Sequence, residues 1–393
     1  MLDSFDVMLY SLVLASLIVD LHLSKQTAGT LGSITLIAAA IGGLAFGVIA
    51  DRFGRTRALM ASVLIYALFT AACGLAQNLA QLAVFRILLG FGMGGEWASG
   101  ASLVAETWPD EHRGKALALM QSSWAIGYAL AALVVALVMP HFGWRAVFFV
   151  GILPAFFTLW IRRDVEEPAA WQFTRSVPKP HEVAPARREG ALAPIFRGKL
   201  LPLTAALTLM NACCLFAYWG FNLWVPAYLS LPLNKGGMAL PTHSTTAIVV
   251  FMQVGMWFGY ICFGVLSDIF GRKRTYITYL LSAAALMLAF GAVHSALGLF
   301  CLAPFVAFAA TGYFAGFATV TAEIYETRIR STAQGFTYNT GRIASAVAPF
   351  AVGSLADRQG FGMAFVIAAV AFLIAASLWF FIPETLKTKA TAS

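Results

Sequence analysis

Long apolar runs dominate the chain, separated by short polar breaks. Twelve runs come near the roughly 20 mostly apolar residues that a membrane-spanning helix needs. Their approximate limits are 5–21, 28–50, 57–76, 80–104, 115–139, 144–161, 200–229, 244–266, 275–293, 296–319, 333–356 and 361–382. Apolar positions within them are continuous rather than alternating, which excludes a transmembrane β-barrel. Glycine and other small residues recur at close spacing, as helix packing in lipid favours. The expected class is an all-α integral membrane protein with twelve spans.

Composition narrows the class. Of 393 residues, 60% are hydrophobic and 11% charged, and the mean hydropathy is +0.78. Soluble domains carry about 25% charged residues, so a soluble enzyme, a disordered chain and a nucleic-acid-binding domain are excluded. The basic balance, +8 with a pI near 9.4, is a topology signal. Twenty of the 26 Lys and Arg residues fall in the loops after even-numbered spans and in the tail. The opposite loops hold four, Lys25, Arg145, Lys235 and Arg358, while Arg86 and Arg342 lie inside spans. The positive-inside rule then places both termini in the cytoplasm of a bacterial inner membrane. The five cysteines sit singly or adjacent in apolar runs, with no CxxC pair or Cys/His cluster. Neither disulfides nor a metal site is expected. The first run lacks a basic flank and a small-residue cleavage site, so no cleavable signal peptide is read.

The longest polar stretch, 163–199, is rich in Pro, Ala and Arg and separates six spans from six. It reads as a cytoplasmic linker between bundles 1–162 and 200–386, with a tail at 387–393. The halves repeat. Gly47, Asp51, Gly54, Arg55 and Arg57 recur as Gly264, Asp268, Gly271, Arg272 and Arg274. Ala105, Glu106 and Arg113 recur as Ala322, Glu323 and Arg330, and every pair keeps the offset that separates Gly47 from Gly264. A constant, gapless offset across two loops marks an internal duplication. At this repeat offset Met1 aligns with Tyr218, although span 7 begins near Leu200. The expectation follows that span 1 starts upstream of Met1; an N-terminus at Met1, found by mass spectrometry in transport-competent protein, would exclude it.

At Gly47–Arg57, GVIADRFGRTR resembles the G-x-x-x-D-R-x-G-R loop between spans 2 and 3 of the major facilitator superfamily. GVLSDIFGRKR at 264–274 is similar, with Ile269 in place of the first Arg. The resemblance covers the whole chain and implies two parallel six-helix repeats with alternating access. Asp3-Ser4-Phe5-Asp6 is similar to the D-G-F-D of aromatic-acid symporters. Arg86–Trp97, RILLGFGMGGEW, and Gly341-Arg342 also resemble the aromatic-acid and sialate proton symporters, and residues 102–131 look most like the sialate branch. Sugar porters share the span 4 Arg and a C-terminal Pro383-Glu384-Thr385, but their Gln-Gln pair is absent from span 7. The GPxxGG of drug antiporters is absent from span 5.

A charge inside a span costs roughly 2.5–3.5 kcal/mol on insertion scales, so each one is a functional candidate. Five qualify: Asp3, Asp6, Arg86, Glu96 and Arg342. Their counterparts at the repeat offset are Gly220, Leu223, Ala303, Tyr313 and Ala125, so none is duplicated. Asp6 and Arg86 are expected to pair in the outer half of the membrane and to offset each other's desolvation. The resemblance implies that such a pair holds the coupling proton; a static ion pair locking helices is the alternative. Asp3, one turn before Asp6, shares or relays the proton, or is interfacial. Glu96, after the glycine run, is a second protonation site, a contact to a substrate hydroxyl, or a neutral acid bonded between helices.

Arg342, flanked by Gly341 and Ser345, offers a planar fork suited to a carboxylate; a partner role for an embedded acid is the alternative. Asn339 and Asn222 are the better polar candidates for substrate, because amides in lipid need partners. Trp97, Trp124, Tyr128, Tyr313 and Tyr338 are candidate cavity linings, although aromatics in spans mostly pack or sit at the interface. The resemblance implies that Gly47, Asp51, Arg52, Gly54, Arg55, Asp268, Gly271 and Arg272 form a cytoplasmic gate that biases the state equilibrium.

The resulting expectation is a secondary transporter that brings a small organic anion and protons inward, works as a monomer, and needs no cofactor beyond the proton gradient. A sialate or sugar acid, an aromatic acid and a short hydroxy acid all suit one Arg among aromatics. A neutral sugar or polyol symporter is the nearest alternative and has no need of Arg342. A drug-efflux antiporter lacks its span 5 motif, and a membrane enzyme lacks a catalytic cluster.

Overall fold

The computed structural model describes residues 1–107, 110–165, 193–198 and 200–386. They form helices and connecting turns, with no strand among the described residues. The first repeat contributes α1 (Leu2–Asp20), α2 (Lys25–Phe53), α3 (Arg55–Cys73), α4 (Leu79–Thr107), α5 (Asp110–Val150) and α6 (Leu153–Asp164). The second contributes α7 (Leu200–Ser230), α8 (Thr242–Phe270), α9 (Arg272–Ala292), α10 (Ala296–Gly312), α11 (Phe314–Ile324), α12 (Thr327–Ser345) and α13 (Ala348–Leu378).

Among the described residues, ten helical stretches are long and apolar enough to cross a membrane. Two are overlong: Leu119–Thr158 with 40 residues and Ala333–Leu378 with 46. At 1.5 Å per residue they measure roughly 60 and 70 Å, twice the hydrocarbon thickness. Each contains a glycine with positive φ, Gly143 at 74° and Gly360 at 86°. A left-handed residue there reverses the chain without a loop. Each stretch is long enough for two crossings.

The duplication is visible in the backbone. Gly143 and Gly360 are themselves related by the repeat offset. So are the starts and the ends of α2 and α8, Lys25 with Thr242 and Phe53 with Phe270. The start of α4 and the start of α10 keep the same offset. Their caps match too: Asn78 Oδ1 accepts from the Gln81 amide at 2.9 Å, and Ser295 Oγ from the Gly298 amide at 3.1 Å. Both satisfy amides that a helix start leaves open. One lipid-facing stripe is copied as well. Ile37, Ile41, Leu44 and Val48 are exposed on α2, and Val254, Phe258, Ile261 and Val265 on α8. The spacing of i, i+4, i+7 and i+11 keeps each set on one helix face.

Two compact units emerge. The first comprises Met1–Ala184, Asn222–Val250 and Pro349–Arg358. Here α4 packs against α2 and α3, and α1 against α5. Segments of the second repeat close onto these helices. Ser11 Oγ donates to the Asn222 and Leu223 carbonyls at 3.0 and 2.7 Å, and Trp224 Nε1 to the Pro349 carbonyl at 3.0 Å. Asp357 accepts from the backbone amides of Lys25 and Gln26, at 3.2 and 2.7 Å, and so caps the start of α2. Lys25 Nζ bonds the Ala356 carbonyl at 2.9 Å. The second unit comprises Pro185–Phe221, Phe251–Ala348 and Gln359–Ser393, with α9 packed on α10.

Candidate functional site

The polar centre of the first unit lies where α1, α3 and α4 meet. Glycines make the approach possible. A Cβ on Gly92 would stand 2.7 Å from the Tyr66 backbone nitrogen, so only glycine lets α4 lie this close to α3. Ser62 Oγ closes the contact by donating to the Gly92 carbonyl at 2.7 Å. Glu96 follows one turn later on α4. Its neighbours are Asp3 and Asp6 of α1 and Tyr66 of α3, and Thr70 of α3 stands beside Asp6. Asp3, Asp6, Tyr66 and Thr70 are all buried.

Asp6 and Arg86 do not form the expected ion pair. Asp6 is 1% exposed, and neither carboxyl oxygen makes a hydrogen bond of full geometry; Thr70 is a nearby donor. Arg86 is 2% exposed and turns its guanidinium onto the Tyr10 ring, 3.7 Å from the centroid. Its Nε and Nη1 carry no hydrogen bond. The physical reason is a competing partner on the same helix. Tyr10 lies one turn beyond Asp6, its hydroxyl fixed on the Ala28 carbonyl at 2.8 Å, and its face offers the cation a π surface.

The proposed substrate residues divide. Arg342 is half-buried in the last turn of α12, after Asn339, which is also half-buried and bonds its own helix through the Gly335 carbonyl at 2.9 Å. Tyr338 is half-buried, 6.0 Å from the Phe317 ring. Asn211 Nδ2 holds α12 on α7 through the Thr337 and Tyr338 carbonyls at 3.4 and 3.3 Å. Tyr128 and Tyr313 are buried, and their hydroxyls donate to the Asn222 and Cys214 carbonyls at 3.2 and 3.1 Å. In this state both rings are packing residues, not linings of an open cavity. Asn222 is buried in α7, and Trp124 is half-buried in α5. The side chains of Trp97 and Asp51 lie outside the described residues.

The second copy of the repeated loop motif, Gly264–Arg274, is fully described and builds a closed network. Gly271 has φ 95° and starts α9, as Gly54 with φ 115° starts α3. Arg272 donates to Asp268, to Ser267 Oγ at 2.9 Å and to Glu323 at 3.1 Å. Glu384 accepts from the Arg272 and Lys273 amides at 2.9 and 3.1 Å, and Thr385 Oγ1 donates to Glu323 at 2.5 Å. Glu323, Glu384 and Thr385 were not among the expected gate residues. The signals existed: Glu323 belongs to the repeat, and Glu384-Thr385 to the C-terminal Pro-Glu-Thr. In the first copy Arg52 is exposed and Arg55 half-buried. Gly47 and Gly264 have no neighbour within 4 Å of an added Cβ.

The model of the major facilitator superfamily matches residues 1–252 and 238–393. This chain belongs to that superfamily and is a membrane transporter rather than an enzyme. Among relatives, a cis,cis-muconate transport protein of Acinetobacter baylyi is 33% identical, over 95% of this chain and 89% of its own length. The sialic acid transporter NanX of Escherichia coli is 29% identical, over 94% and 88%. A solved D-xylose-proton symporter superposes with a TM-score of 0.77 at 22% identity, covering 98% of this chain and 96% of its own; that likeness establishes the fold.

Proposed function

We propose that the protein takes up a small organic carboxylate together with one or more protons by alternating access. Asp6 is the observation that carries this reading: a buried carboxyl in α1, with two further carboxyls nearby and no cation bound to it. An unpaired carboxylate removed from water costs several kcal/mol. A group that takes up a proton as it is enclosed, and releases it when water returns, avoids that cost. Arg86, held on Tyr10, adds a fixed positive field, and Glu96 and Asp3 are the further proton-accepting groups.

Arg342, with Asn339 beside it, is assigned to the substrate carboxylate, with Asn222, Trp97, Trp124 and Tyr338 as further candidates. A monoacid on Arg342 and a proton on Asp6 cross as an electroneutral pair, which lowers the cost of moving charge through a low-dielectric path. The relatives named for muconate and sialic acid support a carboxylate. Bundles 1–162 and 200–386 are the rocking bodies, joined by 163–199. The basic loops put both termini in the cytoplasm of a bacterial inner membrane, and one chain is the functional unit. On that topology Asp357 and Lys25 lie outside, and their bonds break when the outer side opens. Asp268, Arg272, Glu323 and Glu384 hold the cytoplasmic end, with Asp51 and Arg55 as their first-repeat equivalents.

The test is substrate-driven proton uptake in proteoliposomes. The panel pairs cis,cis-muconate, sialic acid and benzoate with their amides, and adds parent sugars. Alkalinisation of the outside by a carboxylate, but not by its amide, is expected. A signal from neutral sugars instead would remove the Arg342 assignment, and uptake without proton movement would remove the coupling.

A further inference from the structure

Beside the three carboxyls, α3 presents a polar stripe that no charge announces. Ser62, Tyr66 and Thr70 recur every four residues and are each at most 1% exposed. Ser62 is spent on the Gly92 carbonyl. The Tyr66 and Thr70 hydroxyls make no hydrogen bond of full geometry, and each is within weaker reach of a carboxyl, Tyr66 of Glu96 and Thr70 of Asp6.

Several comparable hydroxyls among the described residues are spent on backbone carbonyls. Thr35, Thr208, Thr311, Thr321 and Thr337 each turn the hydroxyl back onto the carbonyl four residues earlier, at 2.6–2.8 Å. That is the ordinary resting place of a helical threonine in an apolar setting. The Thr70 hydroxyl makes no such bond to the Tyr66 carbonyl. Likewise Tyr10, Tyr128, Tyr276 and Tyr313 hand their buried hydroxyls to backbone carbonyls, and Tyr66 does not.

The duplication supplies a control. At the repeat offset the stripe becomes Tyr279, Ala283 and Met287, all buried. Asp6 and Glu96 become Leu223 and Tyr313. Where the carboxyls are missing, the free hydroxyls are missing too. Packing alone therefore does not require hydroxyls at these two places.

We propose that Tyr66 and Thr70 are positioning residues of the proton site, serving Glu96 and Asp6 respectively. A hydroxyl both donates and accepts. It donates to the carboxylate and accepts from the protonated acid, so neither state leaves the carboxyl unsatisfied in an apolar surround. A carbonyl or an ammonium group serves only one of the two states. The inference rests on the reading of Asp6 as the proton carrier. Other ionisable or charged groups facing the cluster are the Met1 amino group, Asp3 and Tyr10 at α1, Cys73 of α3 and Arg86 of α4, so a shift must be assigned by mutation.

The experiment is infrared difference spectroscopy of the full chain in nanodiscs, between acid and alkaline pH, with no substrate added. Asp6→Asn identifies the protonated-carboxyl band of Asp6. Thr70→Val is expected to move that band to higher frequency and its titration midpoint by about one unit to higher pH, the size of one hydrogen bond to a charged group. Thr70→Ser is expected to restore both. Tyr66→Phe should do the same to the Glu96 band, identified with Glu96→Gln. Thermal unfolding of each variant checks the fold. Unmoved bands and midpoints in folded Thr70→Val and Tyr66→Phe would overturn the inference while leaving Asp6 as the carrier. A spectrum unchanged by Asp6→Asn would overturn the carrier reading itself. If a variant fails to fold, Thr70→Ala and Tyr66→Leu read the same bands.

Discussion

The two repeats share a backbone and divide the chemistry. Helix limits, reversal glycines, helix caps and the lipid-facing stripe are copied at one constant offset along the chain. The loop motif is copied with its glycine, acid and arginine positions. The embedded carboxyls are not: where α1 and α4 carry Asp6 and Glu96, the second repeat carries Leu223 and Tyr313. Features that any crossing helix needs have stayed paired. The buried carboxyls occur in the first repeat and have no counterpart at the repeat offset, and that asymmetry is what the proposed proton site predicts.

Breaking the asymmetry at its centre should have the largest effect. Asp6→Asn is expected to lower substrate-driven proton uptake at least 100-fold, with substrate binding by scintillation proximity changed far less. Arg86→Gln comes next, with a loss of about 10- to 100-fold in the same assay. Arg86→Lys should retain more, because an ammonium also sits on the Tyr10 ring. A third change makes the halves more alike: Gly92 has Ala309 as its counterpart. Gly92→Ala overfills the α3–α4 contact and should cost about 1–3 kcal/mol, read as a Tm lower by several degrees. Glu323→Gln weakens the second gate copy by roughly 1 kcal/mol, reduced by its partial exposure. Cysteine labelling from the cytoplasmic side should then rise. The smallest change is Asp20→Asn. Its partner Arg145 lies 3.1 Å away, but both side chains are nearly half exposed, and the loss of stability should stay within about 0.5 kcal/mol.

The fold was legible because apolar length and an offset between two loops are one-dimensional signals. The offset found at Gly47–Arg57 and Ala105–Arg113 also predicts where α2, α4, α8 and α10 begin. The site was legible only where it carries charge. Asp6, Arg86 and Glu96 stand out in apolar runs, whereas Tyr66 and Thr70 look like any hydroxyl residue of a span. Pairing was less legible still. Arg86 prefers Tyr10 to Asp6, a choice between an aromatic face and a carboxylate that depends on side-chain direction. Tyr128 and Tyr313 read as cavity aromatics, and their hydroxyls turned out to be occupied by carbonyls of α7. The roles of Glu384 and Thr385 emerged only when the chain's end met the start of α9.

The one-residue reversals at Gly143 and Gly360 bear on how the protein is handled. A chain that turns on a single left-handed glycine leaves no slack for a protease, an antibody loop or an inserted tag. The connection around 75–78, between the α3 end and the Asn78 cap, is several residues long, and Leu75 in it is exposed. An epitope or an imaging fiducial belongs there, and the same insertion at 143 or 360 would splay the hairpin it was meant to report on.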